Sequence, residues 1–255
     1  MRINLIPLAG RGKRFADEGY KLPKPVVPVD GIPMVVAAAK SLPPADKNVF
    51  ICLKEHIKRY HIDRDIKKYF PQAVIVTIDG VTEGQASTCL LAEKYVEPDA
   101  ELTIGACDNG MAYAQGAYDK VINDPKTDAI AWTFRNNPNV TRHPEHWGWV
   151  TVDKKKFIKK VSVKVPISND PIHDHAIVGC FSFKKAKYFF EYAKKMIKAN
   201  RRINNEFYND ELMNVLVENG LRVKVFEIDT YIGWGTPADL KTYEYWSSYF
   251  KKNKK

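Results

Sequence analysis

The stretch "LIPLAGRGKRF", Leu5 to Phe15, runs an apolar segment straight into two glycines and then into basic side chains. An apolar run that stops at glycine reads as a buried strand feeding a loop. Glycines let backbone N–H groups turn inward, and arginine and lysine neutralise charge, so the loop suits a ligand with several negative charges. It is not a P-loop, because GxxxxGK[ST] is missing. It is not a dinucleotide fingerprint either, because Phe15 stands where the third glycine would be.

Working outward, β-branched and apolar segments recur at "INLIPLA", "NVFICL", "AVIVTI", "LTIGAC" and "AIAWTF". Helical stretches lie between several of them: "PMVVAAAKSL", "EHIKRYHIDRDIKKYF" from Glu55, and "EGQASTCLLAEKYV" from Glu83. The alternation predicts an α/β fold with a Rossmann-like, mostly parallel mixed sheet and helices on both faces. Ligands of such sheets sit at the carboxyl ends of strands, where both the glycine loop and "CDNG" after Ile104 fall. Farther on, "WGWVTVD" and "KFIKKVSVKV" read as paired strands around a turn at Asp153, and "AIVGCFSF" as another strand, giving a small antiparallel subregion. "KKAKYFFEYAKKMIKAN" is an amphipathic helix with Tyr188, Tyr192 and Ile197 expected among its inward residues. Gly220 is placed to cap the helix "NDELMNVLVENG", and Thr236 with Pro237 to start the last one.

The chain has 255 residues, 45% hydrophobic and 27% charged, which suits a folded domain. One domain over residues 1–255 is expected. No apolar run approaches a membrane span, and a cytoplasmic protein with no membrane partner is expected. Cys52, Cys89, Cys107 and Cys180 form no CxxC pair and read as reduced, mostly buried thiols. The net charge of +10 resides largely in "DKKKFIKK" and the tail "KKNKK", so solvated lysines and an anionic small molecule account for it without nucleic acid. His143 with His146, and His173 with His175, have no nearby cysteine and no HExxH spacing, which argues against zinc. His173, Asp174 and His175 precede a strand and are expected to face the site. Trp147 and Trp149 alternate on one face as packing residues.

The combination "LAGRGKRF", a polar spacer and "PKPVVPVDGIPMV" resembles the nucleoside triphosphate-binding signature of the sugar-phosphate nucleotidyltransferase family. The resemblance continues in order through "EGQAST", "LTIGACDNG", "SVKVPIS", "AIVGCFSF", "EFYNDELMNVLVENG" and "WGTPADL", over most of the chain. It implies a nucleotide-binding half over about 1–135, an acceptor-side half over about 136–236, and a C-terminal helix and basic tail over 237–255. By resemblance, Leu8, Ala9, Gly10, Gly12, Lys13 and Arg14 form the triphosphate loop, and Lys24 lies near the reacting α-phosphate. Gln85 and Ala86 fall where relatives contact the base or its sugar. Asp108 matches the Mg²⁺ aspartate, and Arg14, Lys24 and Asp108 are the catalytic set. Lys164, His175, Gly179 and Glu206 are expected on the acceptor. A second metal aspartate of many relatives is Gly233 here, and Asp229 is the nearby candidate to compensate.

The partners implied are a nucleoside triphosphate and a phosphorylated small-molecule acceptor. "ACDNGM", "NDPIHDHAIVG" and "INNEFYNDELMNVL" are most similar to members encoded in bacterial capsule gene clusters, which implies CTP and a phosphorylated glutamine. A sugar 1-phosphate is the alternative acceptor. A GT-A glycosyltransferase would share the fold but commonly shows a DxD motif where this chain has Asp108-Asn109-Gly110. A basic nucleic-acid-binding domain leaves the glycine loop and "PKP" unexplained.

Overall fold

The computed structural model describes residues 1–10 and 12–253. In strand β1 (Arg2–Pro7) every residue from Ile3 onward is buried, so both of its faces are covered, as in the interior of a parallel sheet. The glycine loop leads into α1 (Lys13–Asp17), a tight ribbon of β2 (Pro28–Val29) and β3 (Ile32–Pro33), and α2 (Met34–Lys40). Then come β4 (Lys47–Leu53), α3 (Lys54–Tyr60), α4 (Ile62–Tyr69), β5 (Val74–Ile78), α5 (Gln85–Leu90) and β6 (Glu101–Ile104). After these follow β7 (Asn109–Ala112), α6 (Gln115–Asn123), β8 (Ala129–Phe134) and α7 (Asn139–Arg142). The remainder is β9 (Gly148–Val152), β10 (Ile158–Val163), β11 (His175–Phe183), α8 (Ala186–Lys198), α9 (Asn209–Glu218), β12 (Val223–Glu227), β13 (Thr230–Gly233) and α10 (Pro237–Lys252).

Strands β5, β4, β1 and β6 lie side by side in parallel. β11 runs antiparallel between β6 and β8, and β12 pairs β8 in parallel. The start of β11 also carries β9 and β10, an antiparallel pair, completing nine strands. This is the mixed, mostly parallel sheet that the strand spacing predicts. The strands alternate between two apolar layers: Leu5, Val49, Ile51 and Ala131 face α5, α8 and α9, whereas Ile6, Phe50, Cys52 and Trp132 face α2, α4 and α6.

Three details differ from the sequence reading. The helix expected over 55–70 is two helices, because His61 adopts left-handed φ of 53° and its N–H closes on the Ile57 carbonyl at 3.0 Å. The one expected over 83–96 shortens to α5 plus a 3₁₀ turn at Glu93–Tyr95. On α8, the fully inward stripe is Ala186, Phe189, Phe190, Ala193 and Met196. Tyr188, Tyr192 and Ile197 flank that stripe half-buried, which lets the two phenols stay wet.

A third, smaller apolar cluster governs the site. Phe15, Val27, Val29, Met34 and Ala38 meet Trp234 and Leu240, so α1, the segment after Lys24, α2 and the start of α10 share one core. Burying these side chains stabilises the convergence of three sequence-distant loops.

Candidate active site

The glycine loop and the "PKP" segment touch. Gly12 has φ of 59°, and a Cβ added there would stand 3.1 Å from the Lys24 Cβ, so the turn combines a left-handed backbone with close approach. Lys24 opens a 3₁₀ turn between Pro23 and the buried Pro25. Asp108 follows β6, and its carbonyl accepts the Trp234 N–H at 3.0 Å, tying it to the third apolar cluster. Lys24 Nζ donates to Asp108 Oδ2 at 2.7 Å. Burial by itself pulls the Lys24 ammonium down, but Asp108 outweighs it and holds the group above its ordinary value. Lys24 therefore stays cationic at neutral pH.

The pair opens onto a cleft of about 630 Å³ lined by Ala9, Gly10, Lys24, Gln85, Asp108 and Glu206, together with Thr82, Cys107 and Tyr208. Its far wall is built by backbone pairing. Phe207 donates its N–H to the Glu83 carbonyl at 2.8 Å and accepts the Ala86 N–H at 3.0 Å, which places Glu206 and Tyr208 beside Gln85. Gly84 makes this possible: a Cβ there would stand 2.5 Å from the Phe207 nitrogen. Thr82 and Thr88 brace the turn: their hydroxyls lie 2.6 Å apart and 3.0 and 3.1 Å from the Gly84 carbonyl, so one donates to the carbonyl while the other donates to it or to its partner hydroxyl. Cys107 is half-buried, and burial pushes its thiol up to about 11, so no thiolate nucleophile is available at the wall.

Lys164 is held by the β9–β10 region. Lys164 has left-handed φ of 65°, its N–H bonds the Trp147 carbonyl at 3.0 Å, and its Nζ donates to the His146 carbonyl and lies 5.6 Å from the Tyr208 ring. Burial lowers its pKa, Asp210 opposes that, and the charge of Arg14 adds to the lowering. Arg14 is exposed on α1, and its charge contributes to lowering Lys24, His146 and Lys164. Burial also lowers His146, with Arg14 reinforcing the shift, so its imidazole is neutral at pH 7. Glu145 Oε1 stands 3.1 Å from His143 Nδ1 and 3.8 Å from His146 Nε2.

Several expected residues are elsewhere. The Leu8 side chain is fully buried in the core beneath the loop, and Lys13 points to water from α1. The Ala86 side chain is buried against the core, and only its N–H takes part, bonding Phe207. Gly179, at the bulge in β11 with φ of 87°, lies behind the cleft residue Ala106. His175 is buried with Nδ1 2.9 Å from Thr133 Oγ1, among the charges of Arg135 and Glu227 rather than in the cleft, and His173 is exposed beside Asp170. Asp229 fails as the compensating carboxylate on register: β13 pairs Gly233 with Asn109 and Thr230 with Ala112, so Asp229 is at the opposite end of the ribbon from Asp108. Arg11 belongs to the expected cationic loop and lies outside the described residues.

Tyr231 takes the space that a side chain at 233 would use. A Cβ on Gly233 would stand 3.0 Å from its Cε1 and 3.4 Å from its hydroxyl. The ring stacks on Phe134 at 4.5 Å and meets Trp147 edge-on at 5.4 Å. Burial, then the charges of Asp108 and Asp239, push the phenol well above its ordinary value, so it is neutral at pH 7. Tyr231, His146, Tyr208 and Asp210 are absent from the sequence-derived set. Tyr208 and Asp210 lie inside the quoted "EFYND", whereas Tyr231 is signalled only by its position two residues before Gly233.

No family model and no curated protein sequence matches the chain. Solved structures do. A nucleoside-diphosphate-sugar pyrophosphorylase from Vibrio cholerae RC9 superposes with a TM-score of 0.75 at 18% identity, covering 94% of this chain and 98% of that one. The inositol-1-phosphate CTP transferase from T. maritima gives 0.73 at 18% identity, covering 97% and 95%. A Bacillus anthracis protein assigned as a glucose-1-phosphate thymidylyltransferase, in complex with a sucrose, gives 0.76 at 18% identity, covering 97% and 95%. Likeness over nearly the whole of each chain, at so low an identity, establishes a shared backbone architecture: this chain has the α/β nucleotidyltransferase fold.

Proposed function

We propose that the protein transfers a nucleoside monophosphate from a nucleoside triphosphate to a phosphorylated small-molecule acceptor, releasing pyrophosphate. The observation that carries this reading is the Lys24–Asp108 contact of 2.7 Å at the mouth of a cleft whose near edge is the glycine loop. An acceptor phosphate oxygen attacks the α-phosphorus, the new P–O bond forms, and the bond to the β-phosphate oxygen breaks. A phosphate monoester has its second pKa at about 6, so the nucleophile is ionised near neutral pH and needs no general base. The barrier is the meeting of two anions, which positioning and fixed cations lower. Lys24 meets the reacting phosphate, Gly10 and Gly12 bring backbone close to the β- and γ-phosphates, and Arg14 screens the approach. Gln85 and Thr82 face the nucleoside, with Glu206, Tyr208 and Lys164 on the acceptor side.

Asp108 supplies a hard carboxylate oxygen of the kind Mg²⁺ takes. The absent side chain at Gly235 keeps the carboxylate open, since a Cβ there would stand 3.2 Å from Oδ2. Asp108 would hold the ion, which would neutralise charge on the departing pyrophosphate. With Gly233 in place of a second acid, the ion would keep more water than a two-carboxylate site allows.

For the substrates, we favour CTP and L-glutamine phosphate, giving CDP-L-glutamine. The support is the resemblance of "ACDNGM", "NDPIHDHAIVG" and "INNEFYNDELMNVL" to capsule-cluster nucleotidyltransferases, together with the fold shared with a CTP transferase. A sugar 1-phosphate is the second reading, favoured by the names of the V. cholerae and B. anthracis structures. The test is pyrophosphate release with Mg²⁺, each of the four ribonucleoside triphosphates, and acceptors including glutamine phosphate and sugar 1-phosphates. Release with CTP and glutamine phosphate alone supports the favoured substrates, and release only with a sugar 1-phosphate replaces them. Nucleoside diphosphate release from a nucleotide sugar, without pyrophosphate, overturns nucleotidyl transfer.

A further inference from the structure

Helix α10 is tied down by one face and leaves the other bare. Leu240 is buried in the third apolar cluster, Tyr243 packs on Trp234 at 5.5 Å, and Asp30 accepts from Tyr243 Oη at 2.6 Å, Ser247 Oγ at 2.8 Å and Lys251 Nζ at 2.6 Å. The opposite face presents Tyr245, Trp246, Tyr249 and Phe250, exposed by 66%, 51%, 50% and 60%. Their i, i+1, i+4, i+5 spacing makes one stripe, and the rings touch one another: Trp246 stacks on Phe250 at 6.1 Å, and Tyr249 meets Phe250 at 5.4 Å. A contiguous exposed aromatic patch of this kind marks an interaction surface.

The chemistry of the patch selects the partner. It contains tryptophan, tyrosine and phenylalanine but no leucine, isoleucine or valine, the composition of side chains that settle at the headgroup level of a bilayer. Lys252 follows on the same helix, and Lys254 and Lys255 follow in sequence. The two carboxylates of α10 do not oppose them: Asp239 is engaged by Thr236 at 2.7 Å, and Glu244 precedes the stripe on the turn facing away from Trp246. Apolar rings followed in sequence by lysines complement an anionic lipid surface, whereas two copies of the face would bring like charges together. No helix among the described residues is long and apolar enough to cross a membrane, so the contact would be peripheral.

We infer that the aromatic face of α10, with the lysines that follow it in sequence, is a peripheral docking surface for anionic lipid bilayers. The inference is independent of the reaction in the cleft. The test is co-sedimentation of the full chain with phosphatidylcholine vesicles, with and without one-third phosphatidylglycerol, and quenching of tryptophan by brominated lipid. Binding to the anionic vesicles, weakened by salt and absent from pure phosphatidylcholine, is expected. Trp246→Ser/Phe250→Ser should weaken it by about tenfold or more, and Lys252→Gln/Lys254→Gln/Lys255→Gln by several-fold per lysine. Trp246→Phe should keep the binding and lose most of the quenching, which identifies the ring that inserts. Circular dichroism checks that each variant is folded. Failure to bind anionic vesicles overturns the inference, as does equal binding by Trp246→Ser/Phe250→Ser. A dimer in vesicle-free solution that the same double variant dissociates assigns the face to a second copy and also overturns it.

Discussion

The two walls of the cleft are held by different forces. On the loop side, Gly12, Lys24 and Asp108 are fixed from behind by an apolar cluster that joins α1, α2 and α10. On the other side, Tyr208 lines the cleft through the backbone pairing at Gly84, and Lys164, 5.6 Å from its ring, is held by a left-handed turn, the His146 carbonyl and neighbouring charges. Close packing resists displacement in every direction, whereas a few polar contacts leave a side chain free to adjust. Under the proposed function, the first wall would serve chemistry that is the same for every substrate, and the second recognition of one acceptor. Changes to the first should therefore fall on kcat and changes to the second on acceptor KM.

The largest effect tests the first wall. Lys24→Ala and Asp108→Ala should each lower pyrophosphate release by about 10²–10³-fold while the circular dichroism spectrum is unchanged. A variant with near-normal turnover would show that the pair is structural. Next, Gly84→Ala attacks the joint that brings the walls together. The added methyl meets Phe207 backbone at 2.5 Å, so the protein should lose roughly 2–4 kcal/mol of stability in urea titration, with both substrates bound more weakly.

Lys164→Ala sharpens the contrast, since acceptor KM should rise about ten- to a hundredfold with kcat changing much less. The same lysine gives a pH signature. Its pKa lies below the ordinary lysine value, burial being the first cause, so it loses charge earlier than a solvated lysine as pH rises. Acceptor KM should be flat below that pKa and climb above it in the wild-type protein, while Lys164→Ala stays flat throughout. Lys24, held above its ordinary value, should contribute no such limb in that range. Lys13→Ala is the smallest, under about twofold in either constant, because the side chain stands in water on α1.

How much of this was legible in the chain depends on the range of the interaction. The strand periodicity, the glycine loop, the prolines around Lys24 and the helix start at Thr236 are local, and the structure follows them: Thr236 accepts the Asp239 N–H at 3.2 Å, and Gly220 turns with φ of 83° after α9. The break at His61 was hidden because the helical pattern continues across it. Ala86 matched the family motif, but its side chain is buried, and the contact it makes is a backbone one that no residue type signals. His175 and Asp229 were sensible by proximity in sequence, and strand register sends both away from the cleft. Tyr231 carries no local signal, because its role arises from filling the space above Gly233.

The sequence by itself determined the alternating α/β order, the two apolar layers and the identities of Lys24 and Asp108, because periodicity and turn chemistry act over a few residues. Tertiary structure alone decided that these two, 84 positions apart, meet at 2.7 Å, that Phe207 closes on Gly84, and that the Tyr231 ring fills the space over Gly233. Such contacts depend on how side chains from distant segments fill a shared volume, and that is fixed only once the core has packed.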